Sequence, residues 1–286
     1  MAQALPIAFL DGEFLPLAAA RISPLDRGFL FGDAVYEVIG AYDGVPLLLE
    51  AHLARLARSL AELRIAAPCD DAGWRRIIAG LIERNGGGRA HPDLGLYLQV
   101  SRGADAGRDH CFPQGVCPTV FAMASALAPT RLDAPGLRAI TAPDNRWGRC
   151  DIKSTALLAN VLLRQAAADA GAGECIMLRD GFVTEGSGSS VLVLEGRCLV
   201  SRPNGPDILP GTTIALVREL AVAAGLGWRE EAVSEARLRS ADEVWLTAAL
   251  RGLAAVTHVD GRPIAAGVPG PMWRVVAEAY ERRKRP

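Results

Sequence analysis

Short apolar runs separated by acidic residue–glycine pairs limit most strongly how this chain of 286 residues can fold. Such pairs occur at Asp11-Gly12, Asp43-Gly44, Asp180-Gly181 and Glu195-Gly196. An Asp-Gly pair between two apolar runs predicts a β-hairpin, because both residues tolerate the positive φ that a tight two-residue turn requires. Hairpins of this kind outnumber regular strand–helix alternation, so the pattern favours an α+β fold.

Longer apolar patterns predict helices between these hairpins. Five leucines between Leu49 and Leu63 recur at steps of four and three, which is typical of one buried helix face. A second helix is predicted from about Asp71 to Asn85, and a third from Ser154 to about Ala170. Alternation at 94–100 predicts a strand. Further strands are expected at 34–42, 119–124, 137–142, 175–179, 182–184, 191–194, 198–200, 243–247 and 255–259, and further helices at 212–224 and about 272–282.

A segment with two prolines, Ser125 to Gly136, has the composition of a linker between domains. We therefore expect a smaller N-terminal α/β domain at residues 1–124, an interdomain linker at 125–136 and a larger C-terminal domain at 137–286. A chain of this length, with 50% hydrophobic residues, can bury two modest cores.

Composition argues against several classes of protein. The net charge of −1 gives no overall attraction to nucleic acid or to a membrane surface. There is no run of about 18 apolar residues, and the first residues lack the pattern of a signal peptide, so a cytoplasmic location is expected. The six cysteines are scattered without a CxxC pair, so we expect reduced thiols, no disulfide frame and no metal site.

Lysine is nearly absent from this chain. Of the 31 lysine and arginine side chains, all but Lys153 and Lys284 are arginine. Lys284 lies in a basic terminal segment, where any cation would serve, whereas Lys153 precedes an apolar run. Only a primary amine readily forms an imine, so Lys153 is a candidate for Schiff-base chemistry. A structural lysine is the alternative, and the count alone does not separate the two.

Two further segments and one arginine suggest partners for such an amine. Glu185 lies in Thr184 to Ser190, a stretch of small residues that an ordinary surface turn would also explain. Residues 209–213 open a helix whose N–H groups and hydroxyls suit a phosphate, although capping by threonine would explain them too. Arg55 could add a cation or lie on a solvated helix face. An imine-forming lysine, an acid and a phosphate cradle are together what pyridoxal 5′-phosphate needs.

Three sequence blocks carry a family resemblance: Asp26 to Val38, Arg146 to Ser154 and Val183 to Ser187. With these blocks in this order, the chain resembles the fold-type IV, or class IV, aminotransferases that use pyridoxal 5′-phosphate. Within that class it is most similar to the bacterial D-amino acid aminotransferases, over nearly its whole length. The resemblance implies an α+β protein of two α/β domains with the cofactor in the cleft between them.

The resemblance also implies roles for individual residues. Lys153 would be the catalytic lysine that binds the cofactor, and Glu185 would be the partner of the pyridine nitrogen. The phosphate and one face of the ring would be held by a cofactor set, namely Arg55, Leu209, Thr212 and Thr213. The substrate carboxylate would be bound by a second set, namely Tyr36, Arg108 and His110. A guanidinium fork and a hydroxyl are suitable donors to a carboxylate.

The implied function is ping-pong transamination between a D-amino acid, of the D-alanine or D-glutamate type, and a 2-oxo acid through a Lys153 Schiff base in a homodimer. The Arg108-x-His110 pair favours this group over the branched-chain L-amino acid aminotransferases, which share the scaffold. Aminodeoxychorismate lyase is a further alternative on the same scaffold. A cofactor-free Schiff-base enzyme or a small-molecule binding protein is the alternative from a different class. No role is implied for Arg251, an additional cation near the expected phosphate site.

Overall fold

The computed structural model describes residues 3–285, which divide into two units by their backbone contacts. Within that range, the first unit comprises residues 3–129, 152–156 and 285, and the second comprises residues 130–151 and 157–284. The short segment 152–156, which carries Lys153, therefore groups with the N-terminal part of the chain. The domain limits inferred from the linker composition stay a prediction.

Six strands form the sheet of the first unit: β1 (Gln3–Leu10), β2 (Glu13–Pro16), β3 (Ala34–Tyr42), β4 (Val45–Pro46), β5 (Asp93–Ser101) and β6 (Thr119–Ala126). Their order is β2-β1-β6-β5-β3-β4, and every neighbouring pair is antiparallel. The predicted hairpins at Asp11-Gly12 and Asp43-Gly44 are confirmed, and all four turn residues have positive φ, as such turns require.

Three α-helices, α1 (Arg27–Phe31), α2 (Leu49–Glu62) and α3 (Asp71–Arg84), accompany this sheet, with a short 3-10 helix at Leu17–Ala19. The leucine stripe predicted for α2 is buried, since Leu53, Leu56 and Leu60 are at most 4% exposed and share a core with Val35 of β3. Successive strand residues point to opposite faces of a sheet. The next residue, Tyr36, therefore points to the other face, where it is half-buried.

Nine strands form the sheet of the second unit: β7 (Leu137–Pro143), β8 (Glu174–Arg179), β9 (Phe182–Gly186), β10 (Ser190–Glu195), β11 (Cys198–Ser201), β12 (Gly227–Glu230), β13 (Glu243–Ala248), β14 (Gly252–Val259) and β15 (Arg262–Pro263). Their order is β12-β11-β10-β13-β14-β7-β8-β9, with β15 paired to β14. The predicted hairpins at Asp180-Gly181 and Glu195-Gly196 join β8 to β9 and β10 to β11. Because β7 pairs in parallel with both β8 and β14, the sheet is mixed.

The helices of the second unit are α4 (Leu158–Asp169), α5 (Thr212–Ala223), α6 (Glu235–Ser240) and α7 (Pro271–Lys284). Sequence patterns did not predict β12, β15 or α6, because these elements are two to six residues long and contribute only Leu238 as a buried residue. None of the helices within residues 3–285 is long and apolar enough to cross a bilayer.

The start of α4 corrects one expectation. Its helix was predicted from Ser154, but it begins at Leu158. The intervening residues instead bond to β3: the Tyr36 amide donates to the Lys153 carbonyl at 2.9 Å, and the Thr155 amide donates to the Ala34 carbonyl at 3.0 Å. Lys153 therefore lies in a segment held along a strand, because these backbone groups are used by the first unit and not by a helix.

Candidate active site

The backbone and the amine of Lys153 are held by different partners. Its backbone N–H donates to Ser59 Oγ at 3.3 Å, and its carbonyl accepts from the amide of Tyr36. Its Nζ atom lies 4.3 Å from the centroid of the Tyr36 ring, within the range of a cation–π contact. Lys153 and Tyr36, which the sequence assigned to the cofactor and the substrate respectively, are thus neighbours in the first unit.

Tyr36 is itself fixed by the adjacent strand. Its ring stacks on that of Tyr97 of β5, with centroids 5.7 Å apart and planes at 28°. The Tyr97 hydroxyl donates to Gln99 Oε1 at 2.7 Å, and burial raises the pKa of Tyr97 to about 12. Tyr97 therefore stays a neutral, rigid platform for Tyr36 at physiological pH.

Arg55, predicted as a phosphate cation, belongs to a buried network that sequence reasoning missed. Its Nε donates to Glu37 Oε1 at 2.7 Å and its Nη2 to Oε2 at 2.9 Å, while His52 Nδ1 lies 2.7 Å from Oε2. Burial alone would raise the pKa of Glu37, but the hydrogen bonds from Arg55 and His52, helped by the charges of Arg55 and Lys153, lower it to about 2. The signal in the sequence was a lone glutamate on the buried face of β3, which demands a cation.

Arg108 and His110 lie together on an exposed loop of the first unit. The Arg108 guanidinium carbon is 4.9 Å from the centroid of the Phe31 ring, and the His110 ring meets the same ring edge-on at 5.3 Å. The structure therefore brings these two predicted carboxylate ligands together on Phe31, whereas Tyr36, the third, lies beside Lys153.

Glu185 lies on β9 in the second unit and is buried. Arg146 Nη1 donates to its Oε1, and the backbone N–H of Leu209 donates to its Oε2 at 3.2 Å. Arg146 also binds Asp144 through Nε at 2.9 Å and Nη2 at 2.8 Å. The surface-turn alternative for Glu185 is thus excluded, and its carboxylate is held between a cation and the chain segment that leads into α5.

The beginning of α5 has the features of an anion site. Thr212 and Thr213 are its first two residues and both are buried, while the N-cap is Gly211, which provides no side-chain capping bond. Capping by threonine is therefore wrong, because the cap position is taken by glycine. A Cβ atom at Gly211 would lie 2.8 Å from Ser190 Oγ, so a larger residue here would require the Ser190 side chain to move. The helix dipole and first-turn N–H groups at this point suit a phosphate.

The residues after Glu185 are tied to a second buried carboxylate. Glu174, 1% exposed, accepts hydrogen bonds from the hydroxyls of Ser187 and Ser189. Arg251 Nη1 donates to its Oε2 at 3.1 Å. Arg251, to which no role was assigned from the sequence, thus balances the charge of Glu174 and stabilises the turn that follows Glu185. Among residues 3–285 there is no group of three or more His, Cys, Asp or Glu side chains that could hold a metal ion.

Comparisons with known proteins indicate the family to which the chain belongs. The sequence matches the family described as amino-transferase class IV over residues 34–259. A D-alanine aminotransferase of Bacillus licheniformis is 39% identical over 272 residues, or 95% of this chain and 94% of the relative. A PLP-bound hypothetical aminotransferase from Mycobacterium tuberculosis has a TM-score of 0.85 and 28% identity, over 97% of this chain and 98% of that one. A branched-chain amino acid aminotransferase from Escherichia coli has a TM-score of 0.86 over 97% of this chain and 93% of that one; at 22% identity it shows the fold alone.

The chain belongs to the class IV aminotransferases. The predicted fold-type IV, α+β class is confirmed, and so is the prediction of a pyridoxal 5′-phosphate enzyme. The residues present fit this cofactor: a lysine amine lies beside the Tyr36 ring in the first unit, and the second unit contains a buried, hydrogen-bonded carboxylate and a helix whose N-cap is glycine.

Proposed function

We propose that the protein transfers the amino group of a D-amino acid to a 2-oxo acid, with D-alanine and D-glutamate as the substrate type. The observation that carries the proposal is its 39% identity to a D-alanine aminotransferase over 95% of the chain. The pairing of Arg108 with His110 on one aromatic ring supports it, because these are the residues expected to bind the substrate carboxylate.

Several residues of the chain would hold the cofactor. Lys153 would bind its carbonyl carbon, the only bond of the set that needs a primary amine. The first turn of α5, with Thr212 and Thr213, would bind the phosphate, Arg55 would add a fixed positive charge, and Leu209 would pack on the ring. When bound, the cofactor supplies a protonated pyridine ring that accepts the electrons left at the substrate α-carbon.

Glu185 would keep the proton on the ring nitrogen. A carboxylate can do so only while it is ionised and correctly oriented. Arg146 and the Leu209 amide provide both conditions, since they place a positive charge and a backbone donor on the two oxygens of Glu185. Asp144 in turn fixes Arg146 with two hydrogen bonds.

Lys153 would also move the proton of the substrate α-carbon. This role requires an amine that is close, mobile over a short range and otherwise restrained. The hydrogen bond from the Lys153 amide to Ser59 fixes the backbone, and the Tyr36 ring lies beside the amine at 4.3 Å. Tyr36, Arg108 and His110 would bind the substrate carboxylate, so that its α-hydrogen is presented to Lys153.

Homodimer formation and a cytoplasmic location complete the proposal. Three large aliphatic side chains on α4, Leu158, Val161 and Leu162, are 73%, 58% and 59% exposed and lie on one helix face at i, i+3 and i+4. An exposed apolar face of this kind is typical of an interface, and a two-fold dimer would cover it with a second copy. Light scattering of the wild type and of Val161→Glu measures whether the mass halves.

One activity panel tests the function. Purified holoenzyme is assayed with D- and L-amino acids against 2-oxoglutarate and pyruvate, and pyruvate release from aminodeoxychorismate is measured without any oxo acid. We expect transamination of D-alanine and D-glutamate, its loss in Lys153→Ala, and its retention in Lys284→Arg, the matched lysine control. Good activity on L-leucine with none on D-alanine, or pyruvate release alone, contradicts the proposal.

A further inference from the structure

The loop that carries Arg108 and His110 has no secondary structure of its own. Residues 105–118 contain neither helix nor strand, and Arg108 and His110 are exposed. An unsupported loop would lose conformational entropy when its side chains close on a ligand. Its position must therefore come from other residues, and the contacts on either side of His110 show which ones.

Arg27 connects the loop backbone to Asp33. It is 3% exposed, and its Nε donates to Asp33 Oδ2 at 2.9 Å. Its Nη1 donates to the carbonyl oxygen of Asp109 at 2.5 Å and its Nη2 to that of His110 at 3.3 Å. The planar fork of arginine makes these three bonds from one side chain, which the single ammonium of lysine cannot reproduce.

Phe31 connects the loop side chains to the same arginine. The guanidinium carbon of Arg27 lies 4.8 Å from the centroid of the Phe31 ring, and that of Arg108 lies 4.9 Å from it. The His110 ring meets Phe31 edge-on. One aromatic ring thus contacts both side chains that are expected to bind the substrate carboxylate, and it orients them by cation–π and edge-on contacts.

Arg102 is the second arginine that connects Asp33 to the loop. It binds both oxygens of Asp33 at 2.7 and 2.9 Å, and its guanidinium carbon lies 3.7 Å from the centroid of Phe112, two residues beyond His110. It also donates to the carbonyl oxygens of Leu63 and Arg64, just after α2. Burial alone would raise the pKa of Asp33, but the hydrogen bonds and charges of Arg102 and Arg27 lower it. Asp33 therefore links two buried cations that contact the loop at two points. Arg27 donates to the backbone carbonyls of Asp109 and His110, and Arg102 lies over the ring of Phe112.

We propose that Arg27, Phe31, Asp33 and Arg102 are positioning residues that hold loop 108–112 in the geometry for binding a substrate carboxylate. The inference rests on the proposed function, since it assigns these residues to the recognition of the amino acid and of the oxo acid. It also gives a role to three residues of the block Asp26 to Val38, because Arg27, Phe31 and Asp33 all lie in it. Loosening the loop raises the cost of ordering it on binding, so KM rises while the proton transfer at Lys153 keeps its rate.

Three single variants test this in the holoenzyme, two that should loosen the loop and one that should not. Arg27→Lys keeps the positive charge but loses the planar guanidinium. Phe31→Leu removes the aromatic ring, whereas Phe31→Tyr keeps it. We expect KM for D-alanine and for pyruvate to rise about tenfold in the first two, a loss of about 1.4 kcal/mol of binding. The value of kcat should stay within about threefold, and Phe31→Tyr should recover most of the wild-type KM. Hydrogen exchange of the amides in 104–112 should accelerate in Phe31→Leu, and the cofactor absorbance should stay unchanged.

Arg108→Ala distinguishes a failure of the positioning inference from a failure of the proposed carboxylate site. If Arg108→Ala raises KM while Arg27→Lys and Phe31→Leu leave both KM and exchange at wild-type values, the positioning inference is wrong and the carboxylate role stands. If Arg108→Ala itself leaves D-alanine kinetics unchanged, the proposed carboxylate site fails, and the inference fails with it. A fall in kcat with loss of cofactor absorbance in Phe31→Leu also overturns the inference, because it indicates a general structural role.

Discussion

Replacing Arg146 with methionine tests the buried network beneath Glu185. The Arg146 side chain is 6% exposed and bridges Asp144, which is 0% exposed, and Glu185, which is 9% exposed. Methionine keeps a long unbranched side chain but supplies neither charge nor donors. Two buried carboxylates would lose their shared cation, and water could not replace it without opening the site.

The pKa of Asp144 indicates how strongly its surroundings, chiefly Arg146, stabilise its negative charge. Burial alone would raise this pKa, but the hydrogen bonds and charge of Arg146, with the Thr184 hydroxyl, lower it from 3.8 to about 2. At about 1.4 kcal/mol per unit, the folded surroundings favour the ionised form by about 2 kcal/mol. Removing one partner of a buried ion pair costs about 3–5 kcal/mol where the remaining charge is left uncompensated. Asp144 keeps Arg179 Nη2 at 3.3 Å, so the expected loss lies toward the lower end of this range. We therefore expect Tm to fall by roughly 6–20 °C, at about 2–4 °C per kcal/mol.

Calorimetry of the holoenzyme measures this loss. Arg131→Met is the matched control, because Arg131 and its partner Asp133 are 75% and 72% exposed, and such surface pairs contribute little. The double variant Arg146→Met/Asp144→Asn should recover part of the lost stability, since it leaves one buried charge fewer. If Arg146→Met lowers Tm no more than Arg131→Met does, the network does not support Glu185 in the way described.

Three other predictions concern two further buried carboxylates, Glu174 and Glu37. Arg251→Ala should weaken cofactor binding about tenfold in an absorbance titration, because Glu174 loses a charge-assisted hydrogen bond and the turn after Glu185 loosens; unchanged affinity would remove Arg251 from the site. Because the pKa of Glu37 is lowered from 4.5 to about 2, its stabilising contribution is present above pH 4.5 and disappears as the pH falls toward about 2. In Glu37→Gln, Tm should therefore fall less steeply as the pH is lowered below 4.5 than it does in the wild type. An equal fall in both proteins would contradict this. Arg55→Met should destabilise the protein even without cofactor, because the buried Glu37 carboxylate loses two hydrogen bonds and a positive charge and keeps its contact with His52. A stability loss seen only with cofactor bound would place Arg55 on the phosphate alone.

Local patterns were sufficient for most of the fold. The leucine stripe of α2 and the acidic residue–glycine hairpins predicted their elements closely, because both signals are set by neighbouring residues. The start of α4 was misjudged because its apolar run begins at Ala156, whereas residues 153–155 are held by backbone bonds to β3. Such long-range pairing leaves no local trace in the sequence.

The site was predicted unevenly for a similar reason. Lys153 stood out because lysine is rare, and Glu185 because it lies in a stretch of small residues that is also one of the family blocks. The residues that hold the candidate site in place were not assigned roles: Glu37 binds Arg55, Arg146 binds Glu185, and Glu174 binds the turn after Glu185. Their roles depend on burial and on partners many positions away in the chain, such as the 39 residues that separate Arg146 from Glu185. Single-sequence reasoning identifies reactive groups more readily than the network that holds them.

Borohydride reduction followed by peptide mapping determines whether the Lys153 amine binds the cofactor. Reduction fixes an imine as a stable pyridoxyl-lysine, and this chain offers only Lys153, Lys284 and its amino terminus as candidates. We predict that the pyridoxyl mass appears on the peptide containing Lys153 and is absent from that peptide in Lys153→Ala. Labelling at Lys284, or no labelled peptide in a protein that retains its absorption band, would contradict the account.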